Sequence, residues 1–283
     1  MGVKTTDIRE GGLVGTFFSK ENPTAAILVL GGYSGGLREE KAQLLAEAGF
    51  ATLTLAYFGM EHLPSRLSQI PIEYFEKAIG FLNGVSGQIG LWGVSRGAEL
   101  ALILGTLFPD RIGAIAAHVP SSVIYGDLEA RNSIPAWTYR NQLIAPSAPF
   151  QLRAQETGEC ESAAIRATPS FLHSMQDQTA FASSAICVEK LKSPLLLISA
   201  GDDQMWPSSL FARQIVERLE KYKSDISCSH IHYPGAGHAP SKGAAAFHPV
   251  LKRWFSYGGN PKDNDFAARD WTEKTLSFFK EHL

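Results

Sequence analysis

Cysteine is nearly missing from these 283 residues: Cys160, Cys187 and Cys228 are the whole complement. Three thiols so widely spaced exclude a disulfide framework, offer no zinc-binding cluster and fit a reducing compartment. Long apolar runs are missing too. The longest, Ala25–Leu30 and Leu195–Ala200, are strand-sized and far short of a membrane span. Residues 1–10 hold no apolar stretch of the kind a secretory signal needs, so the reading is a soluble cytoplasmic protein with no membrane partner. Gly2 with Thr6 fits the loose N-myristoylation pattern, a match short enough to arise by chance. An excess charge of one sign is also lacking. The 26 Lys+Arg against 28 Asp+Glu leave net −2, and nothing in that balance asks for nucleic acid as a partner. No repeat, low-complexity tract or Gly/Ser linker divides the chain, which reads as a single domain over 1–283.

What is present is an alternation. Short apolar runs at Ala25–Leu30, Ala51–Tyr57, Ile89–Trp92, Ile112–Val119, Pro194–Ala200 and Cys228–Tyr233 read as strands. Amphipathic segments between them, at Leu37–Ala48, Ile72–Leu82, Ala98–Leu107 and Ser209–Lys221, read as helices, with a further one at Phe266–His282. Alternating strand and helix predicts an α/β fold, a mainly parallel sheet with helices on both faces. The alternation breaks between Ser121 and Ser184, where four prolines mix with aromatics. A stretch that long without period, inside one domain, reads as a cap inserted over the sheet.

One motif carries chemistry. The run Ile89–Trp92 leads into Gly93-Val94-Ser95-Arg96-Gly97 and then into a helical segment, which is G-x-S-x-G between a strand and a helix. So tight a turn strains the serine backbone, lifts its hydroxyl clear of the sheet and leaves no room for side chains at the flanking glycines. It also leaves the N–H of Arg96 at a helix N-terminus, suited to an oxyanion. Serine needs a base, and the base needs a carboxylate; in α/β-hydrolases these follow in the order Ser, acid, His. After the strand at 194–200 come Asp202 and Asp203, between which spacing does not choose. After the strand at 228–233 comes Pro234-Gly235-Ala236-Gly237-His238, a histidine on a glycine-rich loop. His230 and His232 alternate on one strand and lack a third ligand, so they read as satisfied strand residues rather than a metal site. His118 and His173 read as core or cap residues. The loop Gly31-Gly32-Tyr33-Ser34-Gly35-Gly36 lacks the spacing of a dinucleotide fingerprint. It supplies instead a second oxyanion N–H, from Tyr33 or its neighbour Ser34.

These segments resemble the C-terminal catalytic domain of the acyl-CoA thioesterase and bile acid-CoA:amino acid N-acyltransferase family, itself related to dienelactone hydrolases. The resemblance runs from about Thr24 to Leu283. It rests on Gly32 to Phe50, Ala56-Tyr57 with Leu63-Pro64, Ile72–Ala78, the turn Gly93–Leu100, and Gly201-Asp202-Asp203 with Trp206. It continues through Tyr233–His238, Gly258-Gly259-Asn260-Pro261-Lys262 and the closing Trp271–Leu283. It implies an α/β-hydrolase fold, Ser95 as nucleophile, Asp203 as acid and His238 as base, with no metal or organic cofactor. Where the amino-acid-conjugating members resemble a cysteine branch, position 95 is serine, which leans toward hydrolysis.

The function expected is a serine hydrolase of a small-molecule acyl thioester, acyl-CoA or a related carrier-bound chain. Alternatives are a carboxylesterase or lactone hydrolase on small oxygen esters, an acyltransferase to an amine or alcohol, and, outside catalysis, a binding protein using the same pocket. In the cap, Trp137 and Tyr139 are the expected acyl-binding wall, with Trp206 beside the acid. Arg131, Arg140 and Arg153 are the cations placed to meet carrier phosphates at the pocket mouth.

Overall fold

Residues 26–30 carry no polar side chain, and a strand apolar on both faces needs cover on both. The computed structural model describes residues 2–128, 134–152, 164–243, 245–248 and 253–283, and in it that cover is present. The strands of the first half are β1 (Lys4–Ile8), β2 (Val14–Ser19), β3 (Ala26–Leu30), β4 (Ala51–Ala56), β5 (Ile70–Pro71), β6 (Ile89–Val94) and β7 (Ala114–His118). They are followed by β8 (Trp137–Tyr139), β9 (Gln142–Leu143), β10 (Leu195–Ala200), β11 (Cys228–Tyr233), β12 (Ala245–His248) and β13 (Arg253–Ser256). The helices are α1 (Glu39–Glu47), α2 (Ile72–Asn83), α3 (Arg96–Leu107), α4 (Thr168–Ser174), α5 (Gln178–Ser183), α6 (Ser208–Lys221) and α7 (Pro261–His282).

Eight strands form the main sheet in the order β1-β2-β4-β3-β6-β7-β10-β11. The last six run parallel, as the alternating sequence predicts. Along β3 the side chains divide with period two. Ala26, Leu28 and Leu30 join the core beneath α2, α3 and α6, while Ile27 and Val29 face the core beneath α1 and α7. Both cores exclude water, and each fully buried leucine or isoleucine contributes about 1.5–3 kcal/mol of transfer free energy.

Two strands of the main sheet escape the sequence reading. β1 and β2 pair antiparallel with one another, and β2 pairs antiparallel with β4, extending the sheet at its N-terminal edge. β1 reads KTTDI and exposes four of its five residues, so it leaves no apolar run to detect. The region 121–184 is also more ordered than its lost period predicts. Its described residues hold β8, β9, α4 and α5, and Ile70–Pro71 of β5 pairs with Trp137–Thr138. A third apolar cluster joins this region to the sheet end through Val123, Tyr125, Phe171, Trp206, Phe211 and Phe255. Among the described residues no helix is long and apolar enough to cross a membrane.

Candidate active site

Ser95 sits between the end of β6 and the start of α3 with φ 58° and ψ −122°, a left-handed backbone that strains a residue bearing a side chain by about 1–3 kcal/mol. The flanking glycines are required by contact. A methyl group on Gly93 would lie 2.1 Å from the carbonyl oxygen of Gly97, and one on Gly97 would lie 2.3 Å from that of Leu30. The turn is therefore closed on both sides and holds the hydroxyl above the sheet.

His238 reaches that hydroxyl. Its Nε2 stands 2.9 Å from Ser95 Oγ, and its Nδ1 lies 2.9 and 3.0 Å from the two carboxylate oxygens of Asp203. Asp203 and His238 are both buried. Asp203 Oδ1 also accepts from the backbone N–H groups of Met205, at 3.0 Å, and Trp206, at 3.2 Å, which fix the carboxylate's orientation. Asp202 is exposed and turned away, with Oδ2 accepting from Gly259 N at 2.7 Å. The geometry thus separates the two aspartates.

The loop carrying His238 is braced by the start of α7. His238 N donates to Tyr257 O at 2.7 Å, and a methyl group on Gly237 would fall 2.2 Å from Gly258 O. Asn264 spans both sides, accepting from Gly237 N at 2.9 Å and donating to Gly258 O at 3.2 Å. Asn260 caps the helix by accepting from Asp263 N, and Pro261 stands in its first turn. Sequence reasoning noted this Gly-Gly-Asn-Pro segment but gave it no task; its task is to hold the histidine loop.

Beneath the serine lies a buried ion pair. Arg96 Nη1 donates to Glu99 Oε2 at 2.7 Å, Arg96 Nη2 donates to Tyr125 O at 2.7 Å, and Trp137 Nε1 donates to Glu99 Oε1 at 2.8 Å. Burial pushes the Glu99 carboxyl up to about 7, against the pull of Arg96 and then Trp137. Arg96 stands only three residues before Glu99, but the partners that complete the buried pair come from segments 26 and 38 residues further on, so no local signal marked it.

Two compartments open from Ser95 and His238. The larger, about 450 Å³, is bordered by Tyr33, Ser34, Arg38, Lys41, Trp92 and Tyr257. The smaller, about 80 Å³, is apolar and walled by Leu128, Phe150, Leu152, Phe171, Trp206 and Phe255. Of the expected substrate residues, Trp206 lines this second compartment, its ring centroid 5.8 Å from that of His238. Trp137 and Tyr139 are corrected: neither borders either compartment. Trp137 is buried against Tyr57 and Phe75 and tied to Glu99, while Tyr139 packs on Phe108. The indole N–H explains the first placement, since a buried donor goes to the nearest buried acceptor. Arg140 lies over the Tyr139 ring, also away from the serine, and Arg131 and Arg153 fall outside the described residues. Of the oxyanion candidates, Arg96 is the first residue of α3, where backbone N–H groups have no partner within the helix, and Tyr33 borders both compartments. His230 Nε2 and His232 Nδ1 share Ser199 Oγ at 2.8 and 3.1 Å.

His118, buried at the end of β7, receives Trp92 Nε1 on Nε2 at 2.9 Å, with Thr275 Oγ1 2.8 Å from the same nitrogen. Burial lowers its pKa from 6.5 to about 3. The unfolded chain therefore binds a proton near pH 6.5 that the folded chain refuses, so stability present above that pH is lost as pH falls toward 3. Between pH 7 and 5 the wild type is expected to lose about 2 kcal/mol that His118→Gln retains. Urea unfolding of both proteins at the two pH values checks this, and equal losses would contradict it.

Comparison with known proteins agrees with this architecture. The family described as BAAT / Acyl-CoA thioester hydrolase C terminal matches residues 70–283. Acyl-coenzyme A thioesterase 1 of Rattus norvegicus is 31% identical over 297 aligned residues, and acyl-coenzyme A amino acid N-acyltransferase 2 of Mus musculus is 30% identical over 293. Each alignment takes in 100% of this chain but 66% of the relative, so the chain spans just under two thirds of these proteins' length. Among solved structures, an esterase of Pyrococcus furiosus superposes with a TM-score of 0.55 at 14% identity, covering 99% of this chain and 92% of its own. An acylaminoacyl peptidase of Pyrococcus horikoshii superposes with a TM-score of 0.58 at 12% identity, covering 100% of this chain and 42% of its own. At such identities the likeness speaks to the fold, which is that of the α/β-hydrolases.

Proposed function

Because the chain belongs to the BAAT / acyl-CoA thioester hydrolase C-terminal family, we propose that it is a serine hydrolase of acyl thioesters, working through an acyl-serine intermediate. The observation that supports this most is the unbroken chain of hydrogen bonds Asp203–His238–Ser95. His238 Nε2 takes the proton of Ser95 as Oγ attacks the acyl carbonyl. Asp203 holds the imidazole tautomer and stabilises the imidazolium. The backbone N–H groups of Arg96 and Tyr33 receive the oxyanion. His238 then gives its proton to the departing thiolate, activates water, and the ester on Ser95 is cleaved. The scheme draws on no metal or organic cofactor. The apolar compartment receives the uncharged part of the substrate, and the wider cavity the part that carries charge.

A fluorophosphonate is expected to label Ser95 alone, read by peptide mass spectrometry. Labelling at another residue, or none, overturns the mechanism. Relative kcat/KM for matched thioesters and oxygen esters then separates thioesterase from carboxylesterase or lactone hydrolase. A second reading, acyl transfer to an amine, draws on the similarity to an amino acid N-acyltransferase. Formation of an amide product with added amino acids, in place of free acid, would favour it.

A further inference from the structure

A guanidinium stands in the wall of the larger cavity, that of Arg38. Arg38 Nη2 donates to Ser34 Oγ at 2.7 Å, and the group lies against Gly31, where a methyl would sit 3.1 Å from Nε. Among the described residues no carboxylate forms an ion pair with it. Two acids, Glu39 and Glu40, border the same cavity without pairing with Arg38: Glu39 accepts from Thr16 Oγ1 at 2.7 Å, and Glu40 is exposed. The aromatic hydroxyls nearest in its field, Tyr57 and Tyr257, both have pKa values raised by burial and carry no charge at neutral pH. Burial likewise works against the charge on Arg38. A half-buried cation whose side-chain partner among the described residues is a hydroxyl is incompletely satisfied, and a planar guanidinium matches a carboxylate or phosphate better than it matches water.

Its position relative to the serine gives this meaning. Gly31 carries Arg38 on its face, and the next residue, Gly32, abuts the nucleophile: a methyl there would lie 3.2 Å from Ser95 Cβ. The guanidinium and the hydroxyl thus flank two consecutive residues of one loop and border the same cavity. Lys41 borders it too, but its Nζ is drawn to Thr272 Oγ1 at 3.2 Å.

We propose that Arg38 binds an anionic group of the substrate, an acyl carboxylate or a leaving-group phosphate, and so selects substrates that carry negative charge there over those that do not. This rests on the hydrolase reading of the same site. The phosphates of coenzyme A stand at the end of a long pantetheine arm, so the two sources of negative charge are separable by substrate design. Four thioesters suffice: succinyl and butyryl groups, each on coenzyme A and on N-acetylcysteamine. In Arg38→Leu, the succinyl-to-butyryl ratio of kcat/KM is expected to fall roughly tenfold to a hundredfold on either leaving group if the anion is an acyl carboxylate. A fall of that size in the ratio of coenzyme A to N-acetylcysteamine esters, for either acyl group, would assign the anion to phosphate instead. Arg38→Lys, which keeps the charge and loses the fork, is expected to recover part of the ratio.

An equal loss on all four substrates would mean that Arg38 only holds Ser34 and its loop, and would overturn the proposal; so would unchanged ratios. If the wild type hydrolyses none of the four, the hydrolase reading fails by itself, and anion binding is then judged without turnover. Calorimetric titration of Ser95→Ala with glutarate and with inorganic phosphate serves that purpose. Heat that disappears in the Ser95→Ala/Arg38→Leu double variant sustains the anion site, and identical titrations of the two proteins overturn it.

Discussion

Asp203→Asn is expected to lower kcat about ten-thousandfold on any ester the wild type turns over, with KM moving by only a few-fold. The size follows from the tautomer. Asp203 Oδ1 is held by the N–H groups of Met205 and Trp206, so an asparagine must keep its carbonyl there and turn its amide toward His238 Nδ1. The amide then donates to Nδ1, the ring proton moves to Nε2, and the ring no longer accepts from Ser95. Asp202→Asn is the control, because Asp202 faces Gly259 and not the histidine. Steady-state kinetics of both variants checks the expectation. A loss below about tenfold for Asp203→Asn would remove the carboxylate from the mechanism.

The largest expected change in stability comes from Arg96→Met, which leaves Glu99 buried without its cation. Breaking a buried pair from one side costs about 3–5 kcal/mol, whereas Arg96→Met/Glu99→Leu removes both charges and is expected to be less damaging than the two single changes added together. The deficit has a pH dependence of known sign. Burial already raises the Glu99 carboxyl to about 7, and losing Arg96 removes the largest opposing influence. The folded variant therefore keeps a proton that the unfolded chain releases near pH 4.5, and its stability falls as pH rises from 5 to 8. Urea denaturation of the single and double variants across that range is the measurement. A variant as stable as the wild type, or a deficit that shrinks with rising pH, would contradict the argument.

The parallel part of the fold was legible because each strand is covered on both faces and so is written as an apolar run. β1 was not, since an edge strand with four exposed residues has no such signature. Ser95 and His238 announced themselves through glycines that the local backbone requires, at 93, 97 and 237. The choice between Asp202 and Asp203 was different in kind. Asp203 meets His238 and Asp202 meets Gly259, 35 and 57 residues further on, and no spacing rule reaches that far. Trp137 and Tyr139 failed for a related reason. Composition shows that aromatics are present, but the side Trp137 faces is decided by Glu99, a carboxylate two elements away, and that of Tyr139 by Phe108.

The close contacts of Gly93, Gly97 and Gly237 have a practical bearing on anyone who would re-engineer this protein. None of the three has space for one added carbon, since the obstructing atoms are backbone and cannot step aside. A mutant library spread over the β6–α3 turn or the histidine loop would consist mostly of dead clones. The wall formed by Leu128, Phe150, Leu152 and Phe171 is made of side chains, half-buried at all but Phe171. Diversity placed there can reshape the apolar compartment while the Ser95–His238–Asp203 arrangement stays as it is.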